Sequence, residues 1–286
     1  MRAPDLTLIQ ISDTHIQPAG ELMHGRIDTL ANLAVALDAI AGSGAAVHGL
    51  LLTGDLANDG EESAYRRLKT TLDKAAESLG CPVIYAMGNH DDRAAFRAVL
   101  VGEPGDGDTT APYDAVHWLG GLRVVVLDST APGRHDGHLD DGQLAWLGAE
   151  LAAPAPLGTV LVLHHPPLPS PVSTVHLLRL REPERLAEVL AGTDVRMILT
   201  GHAHHTGCGA LAGIPVWVSP AVAYRVESLS PRERLRGVVG SGITRVDLID
   251  GTFVATAVDL AESPAVYDED EAAMVRYISD LTPSAG

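Results

Sequence analysis

Little in this chain would staple it, anchor it in a bilayer, or charge it for a polyanion. Of its 286 residues only two are cysteine, Cys81 and Cys208, and they lack metal-binding or redox spacing. Both read as inert thiols of a reducing cytosol, so no disulfide framework is expected. No apolar run approaches the ~20 residues of a membrane span, and the N-terminus passes from one arginine into a strand pattern, not into a charged and apolar leader. A cytoplasmic protein without membrane insertion is therefore expected. Basic charge is scarce as well: 20 Lys and Arg stand against 37 Asp and Glu, a formal net charge of −17. Such a surface repels nucleic acid unless a basic patch forms locally, and the trio Arg232, Arg234 and Arg236 reads as a solvated loop. No nucleic-acid polymer is expected as a partner. There is also no G-x-S-x-G elbow and no Cys/His pair to suggest a covalent intermediate.

What is present is a set of five short motifs: Asp13-Thr14-His15, Gly54-Asp55, Gly88-Asn89-His90-Asp91, His164-His165 and Gly201-His202-Ala203-His204. Each ends or follows a short apolar run. Together they offer carboxylate and amide oxygens and several imidazoles, and no thiolate. That mix suits borderline-hard divalent or trivalent metals, with ligands enough for two ions. A pair of ions ~3.5–4 Å apart is a standard device for hydrolysing phosphate esters. The first and last motifs lie almost two hundred residues apart, so this stretch must fold as one unit.

Apolar runs at 6–11, 47–53, 82–86, 122–127, 159–163 and 195–200 predict strands. Helical spacing predicts helices over 27–40, 61–79, 92–100, 140–151 and 181–190, the fourth capped by Asp140. Residues 102–112 read as a loop. Strand and helix alternate up to residue 204, which predicts α/β with a largely parallel sheet and a site at the carboxyl ends of its strands. Beyond it, strands at 207–211, 216–218, 243–249 and 253–258 are expected to form a second, mainly antiparallel sheet, with a hairpin at Asp250-Gly251. Residues 262–286 read as an acidic, loosely docked tail in which 271–281 can form a helix.

The five motifs resemble the D-x-H, G-D, G-N-H-[DE], H and G-H-x-H pattern of the calcineurin-like metallophosphoesterase superfamily across residues 8–204. The resemblance implies a four-layer α/β-β/α sandwich over 1–261 with a dinuclear metal site at strand C-terminal ends. It implies one ion held by Asp13, His15 and His204 and a second by Asn89, His164 and His202, with Asp55 bridging both; iron, manganese, zinc and cobalt all suit such ligands. His90 is then the residue that touches the substrate phosphate and protonates the leaving oxygen. Asp91 would orient and charge His90, raising its pKa. Asn89 is a further expected substrate contact, and His165 either a substrate contact or a partner supporting a ligand from behind. The implied reaction is in-line attack by a metal-bound hydroxide.

The stretch Gly54-Asp55-Leu56-Ala57-Asn58-Asp59-Gly60 lacks the Arg of the protein phosphatases, and Asn58 stands where purple acid phosphatases carry Tyr. An arginine clamps a dianionic monoester bidentately, so its absence favours diesters. Ile11-Ser12-Asp13-Thr14-His15, Thr53-Gly54-Asp55-Leu56-Ala57, Met87-Gly88-Asn89-His90-Asp91-Asp92-Arg93, His164-His165-Pro166-Pro167, Gln143-Leu144-Ala145-Trp146-Leu147 and Gly192-Thr193-Asp194-Val195-Arg196 are similar to bacterial class III cyclic nucleotide phosphodiesterases and glycerophosphodiesterases. The expected substrate is a small phosphodiester, first a 3′,5′-cyclic AMP type nucleotide, alternatively a glycerophosphodiester or 2′,3′-cyclic nucleotide; a catalytically idle binding scaffold is the remaining reading. Segments 168–182 and 219–242 depart from the group and are expected to border the substrate. The group also implies a homodimer, for which about half of Val216, Trp217, Val218, Val222, Tyr224 and Val226 would form an exposed patch.

Overall fold

The computed structural model describes residues 3–103, 110–261 and 263–281. The strands are β1 (Leu6–Ile11), β2 (Gly49–Thr53), β3 (Val83–Ala86), β4 (Ala115–Leu119), β5 (Leu122–Leu127), β6 (Thr159–Leu163), β7 (Val195–Thr200), β8 (Gly207–Leu211), β9 (Ile214–Val218), β10 (Arg225–Val226), β11 (Gly237–Val238), β12 (Gly242–Ile249) and β13 (Thr252–Asp259). The helices are α1 (Thr29–Gly42), α2 (Glu62–Leu79), α3 (Arg93–Phe96) continuing into a π-helical turn over Arg97–Val101, α4 (Asp141–Glu150), α5 (Ser173–Leu177), α6 (Pro183–Leu190) and α7 (Glu271–Leu281). The middle of the expected 102–112 loop and the end of the tail lie outside the described residues. In α7 no residue is buried.

The C-terminal strands do not make a sheet of their own, as the alternation had suggested. One sheet has the order β13-β12-β1-β2-β3 and the other β4-β5-β6-β7-β9-β8. β12 runs antiparallel to β1, and β9 parallel to β7. The reason lies in β12, which is buried on both faces along most of its length and so needs a central position, with β13 closing the edge. The first sheet is thus parallel from β1 to β3 with an antiparallel edge at β12-β13, and the second is a parallel core with antiparallel edges at β4 and β8. β4 carries weak alternation because it is an edge strand with Trp118 turned outward.

Period-two alternation builds four layers. On β1, Ile9 and Ile11 face α1 and α2, packing with Leu33, Leu37, Tyr65 and Leu68, while Leu6 and Leu8 face the other sheet. On β5 and β6, Val124, Val126, Val160 and Val162 meet them between the sheets, and Val125, Leu127, Leu161 and Leu163 pack under α4 and α6. The expected apolar patch at 216–226 is largely consumed by this core: Val216, Val218 and Val222 are buried, and Trp217 donates its indole N–H to Thr244 Oγ1 at 2.9 Å.

Two of the outer sequence matches are struts of this frame. Gln143 closes the capping box of α4 with Asp140 and also reaches Asp114 and the carbonyl of Asp128. Asp194 holds Arg123 at 2.6 Å, accepts from Ala155 N–H at 2.7 Å, and both partners of the ion pair are nearly buried. Arg123→Ala would leave that carboxylate uncompensated. We expect a loss of about 3–5 kcal/mol, read as a lower urea midpoint at unchanged slope; a shift under about 1 kcal/mol would show the pair to be a surface-type ion pair instead.

Candidate metal centre

The loops leaving β1, β2, β3, β6 and β7 meet at one end of the seam between the sheets. Backbone bonds zip the first two together: Asp13 N–H to the Gly54 carbonyl at 3.0 Å and His15 N–H to the Asp55 carbonyl at 2.9 Å. Asp13 and His15 therefore do not share a side by strand alternation. They lie past the end of β1, with φ of 54° and 42°. Among the described residues ten non-glycine positions have left-handed φ, and five are Asp13, His15, Asp55, His202 and His204. Each such residue carries strain of about 1–3 kcal/mol, which persists where surrounding structure enforces it and is common at functional sites.

Two groups of side chains converge. Asp13, His15, Asp55 and His204 form one and His164, His165 and His202 the other. Asp55 Oδ2 stands between them, 3.5 Å from His15 Nε2 and 3.3 Å from His164 Nε2, while its Oδ1 accepts His90 N–H at 2.9 Å. The glycines of the motifs make this crowding possible. A Cβ on Gly88 would fall 2.3 Å from Asp55 Oδ1, and one on Gly201 would fall 1.9 Å from Ser12 Oγ. That Ser12 hydroxyl is buried and donates to Asp13 Oδ2 at 2.6 Å, and His202 N–H donates to the same carboxylate.

The donors fit metal ions. His164 Nδ1–H donates to the Thr53 carbonyl at 2.8 Å and His204 Nδ1–H to the Tyr224 carbonyl at 3.0 Å, so Nε2 of each is the atom turned toward the carboxylates. This backbone clamp on the far ring nitrogen is the usual support of a ligating histidine. His15 Nε2 and His204 Nε2 sit 3.1 Å apart, and Asn89 Oδ1 and His202 Nδ1 are buried without a hydrogen-bond partner. Burial holds His15 well below its usual pKa, and burial and then His164 bring His202 to about 3, leaving both rings neutral, the ligand form. Burial pushes the Asp13 carboxyl up. Burial also opposes charge on Asp55 and His164, yet each stabilises the other: Asp55 lies well below the carboxylate range and His164 is raised to about 9. The centre thus asks for positive charge.

Two expected roles change. Asp91 does not touch His90 as its orienting acid: it accepts from the N–H groups of Leu56, Ala57 and Gly88 and from Tyr65 Oη at 2.8 Å, bracing the β2 loop to the β3 loop. Burial and the neighbouring Asp55 raise it to about 6. His90 is instead oriented by its Nδ1–H to the Asn58 carbonyl at 2.7 Å. His165 is no cavity contact. Fully buried, it bonds Ser129 Oγ through Nδ1 at 2.8 Å, and its ring lies beside those of His164 and His202, with centroids 5.0 and 4.7 Å away.

A cavity of about 540 Å³ opens over the centre. His15, Asp55, Asn89, His90, His202 and His204 form its floor, and Leu22, Met23, Val175, Leu178, Tyr224 and Leu235 its apolar wall. The departing segments 168–182 and 219–242 both contribute to it. Sequence reasoning missed His135 and His24, which also line it. For His135 a signal existed: β5 ends at the same edge of the sheet as the motif-bearing strands, and His135 lies in the loop that follows.

The geometry is that of a dinuclear metal site. A family model described as Calcineurin-like phosphoesterase matches residues 6–206, and the chain belongs to that family. It is 43% identical over 274 residues to a Rhodococcus erythropolis protein named "Probable cyclic nucleotide phosphodiesterase", covering 94% of this chain and 90% of the relative. It is 39% identical over 264 residues to a cAMP/cGMP dual specificity phosphodiesterase of Mycobacterium tuberculosis, covering 92% and 82%. Its fold is also that of a dimetal phosphatase from Danio rerio, with a TM-score of 0.63 at 16% identity over 91% of this chain and 98% of the other.

The Ser12 brace can be tested directly. Ser12→Ala should weaken metal binding ~10–100-fold, the usual effect of losing a partner behind a ligand. Calorimetric titration of the metal-free protein measures it, and unchanged affinity would show that Asp13 needs no brace.

Proposed function

We propose that this protein hydrolyses small phosphodiesters, first among them cyclic nucleotides of the 3′,5′-cyclic AMP type. The observation that carries this reading is Asp55 standing between two ligand groups beneath a cavity whose lining, among the described residues, holds apolar side chains and no Lys or Arg. The names of the relatives support it. A monoester dianion would call for a cationic clamp, whereas a diester carries one negative charge and an organic group on each side.

Asp13, His15 and His204 would hold one ion and Asn89, His164 and His202 the other, with Asp55 shared. Bound there, iron, manganese, zinc or cobalt supplies Lewis-acid charge to the phosphoryl oxygens and acidifies water enough to serve as the nucleophile. The rest falls to the chain. His90 is fixed through Nδ1, so Nε2 is its atom for the substrate, where a proton can pass to the leaving oxygen. Leu22, Leu178, Leu235 and Tyr224 take the organic part and exclude water from that side.

We further propose residues 1–261 as the catalytic domain, 262–286 as an appended tail, a cytoplasmic location and a homodimer. Among the described residues no helix is long and apolar enough to cross a membrane. With 216–226 mostly buried, the apolar side chains open to a second copy include Leu229 and Val239 as well as Val266, Tyr267, Tyr277, Ile278 and Leu281 of the tail.

A metal-loaded panel of cyclic AMP, 2′,3′-cyclic AMP, glycerophosphocholine and a phosphate monoester, compared by kcat/KM, tests the substrate class; preference for the monoester overturns it, and chelation should abolish turnover. His90→Ala should keep its metal yet slow the diesters by ~10²–10⁴, less for a nitrophenyl diester whose leaving group needs no proton. An equal loss on both would make His90 a binding group only.

A further inference from the structure

His135 belongs to none of the five motifs, yet the fold delivers it to the metal centre. Its loop, between β5 and α4, is pinned from several sides. Ser129 Oγ bonds His165 Nδ1 at 2.8 Å, and His138 N–H donates to the Ser129 carbonyl at 2.9 Å. Gly137 N–H donates to the Arg179 carbonyl at 3.2 Å, and Arg181 N–H donates back to the Gly137 carbonyl at 2.9 Å. Asp136 is held by Arg134 at 2.7 Å and by Arg181. A Cβ at Gly137 would lie 2.5 Å from the Cβ of His165, so loop and strand touch closely there. This gives the buried His165 a role: it anchors the loop whose exposed tip is His135.

At that tip the ring lines both the catalytic cavity and an adjoining cavity of about 450 Å³. Its centroid is 6.0 Å from that of His90. Asn89 Nδ2 lies 3.2 Å from His135 Nδ1. An amide nitrogen only donates, so Nδ1 accepts and the ring proton sits on Nε2. Which way Asn89 faces follows from its other end, since its oxygen is the atom fit for a metal and is buried with no partner. The amide that offers oxygen to the centre therefore fixes the tautomer of His135. His90 is set the opposite way, with Nδ1–H on the Asn58 carbonyl and Nε2 left for the leaving oxygen.

We propose that His135 is a further substrate-contacting residue, donating its Nε2–H to a phosphoryl oxygen across the cavity from His90. The proposal rests on the phosphodiesterase reading of the same site. It supplies a neutral donor to a cavity whose lining, among the described residues, holds no Lys or Arg; the arginines of the adjoining cavity, Arg93 and Arg134, are paired with Asp128 and Asp136. No proton is transferred in this role, so the contact serves any small diester.

The test uses the full chain loaded with Mn²⁺, with His135→Ala and His135→Gln. Three quantities are read: bound metal by elemental analysis, competitive inhibition by inorganic phosphate, and kcat/KM on bis(p-nitrophenyl) phosphate. His135→Ala should keep the wild-type metal content, weaken phosphate inhibition and lower kcat/KM, each roughly ten- to a hundredfold, the worth of one hydrogen bond to a charged group. His135→Gln, which restores an N–H donor, should recover part of both. Wild-type phosphate inhibition in His135→Ala overturns the proposal. So does loss of metal in step with phosphate, which would make His135 only a support for Asn89. A wild-type protein that neither cleaves diesters nor binds phosphate overturns the phosphodiesterase reading itself, and that result is seen before any variant is made.

Discussion

Two carboxylates, Asp13 and Asp55, are buried within a few ångströms of each other and of several imidazoles, and much of the site's structure answers to that fact. Buried charge of one sign is tolerated only when paired. In the protein alone the pairing falls on His164, which Asp55 and Asp13 draw up to about 9 against the opposing effect of burial. It cannot fall on His15 or His202, whose rings burial keeps neutral. Neutral rings beside ionised carboxylates are a cation's coordination shell. The left-handed backbone at Asp13, His15, Asp55, His202 and His204 is the conformational cost of aiming so many donors at one volume, held in place by the zipped loops of β1 and β2.

The placement of the site follows from the two sheets. Each carries a parallel core, and in parallel α/β sheets the loops at the carboxyl ends converge. Here two such ends meet face to face. One sheet contributes Asp13, Asp55 and Asn89, and the other contributes His164, His202 and His204. Carboxylates and amide on one side, imidazoles mostly on the other, form a centre that exists only when the sheets are packed. The core between the sheets, built on Leu6, Leu8, Val126 and Val162, is therefore also the support of the site.

Most of this was legible from residue pattern. Strands over Leu6–Ile11, Leu122–Leu127, Thr159–Leu163 and Val195–Thr200 begin and end where apolar runs do, because buried strands tolerate little else. The ligand groups were legible because glycine and histidine recur at strand ends. What was not legible is non-local. Period-two patterns say which residues face a core but not which sheet a strand joins, so β12 and β9 were assigned together when they belong apart. Side-chain partners are equally invisible: a carboxylate next to a histidine in sequence reads as its partner, yet Asp91 turns to three backbone N–H groups and Tyr65. The adjacent pair His164-His165 is held differently for the same reason of geometry, one ring by the Thr53 carbonyl and the other by Ser129 of the β5 loop.

Charge then bears on what the cavity can accept. The chain is strongly acidic, with a formal net charge of −17, and the described residues that line the cavity include no Lys or Arg. Long-range steering of an anion is therefore unfavourable, and attraction must come from the centre at close range. Each added negative charge on a ligand raises the repulsion from the surface, while the number of cationic contacts stays limited to the centre. The balance favours singly charged esters over doubly charged ones. It also favours ligands that gain binding from their organic part, since Leu22, Leu178, Leu235 and Tyr224 contribute regardless of charge. A nucleotide or other diester with a sizeable substituent meets both conditions, and a bare phosphate monoester meets neither.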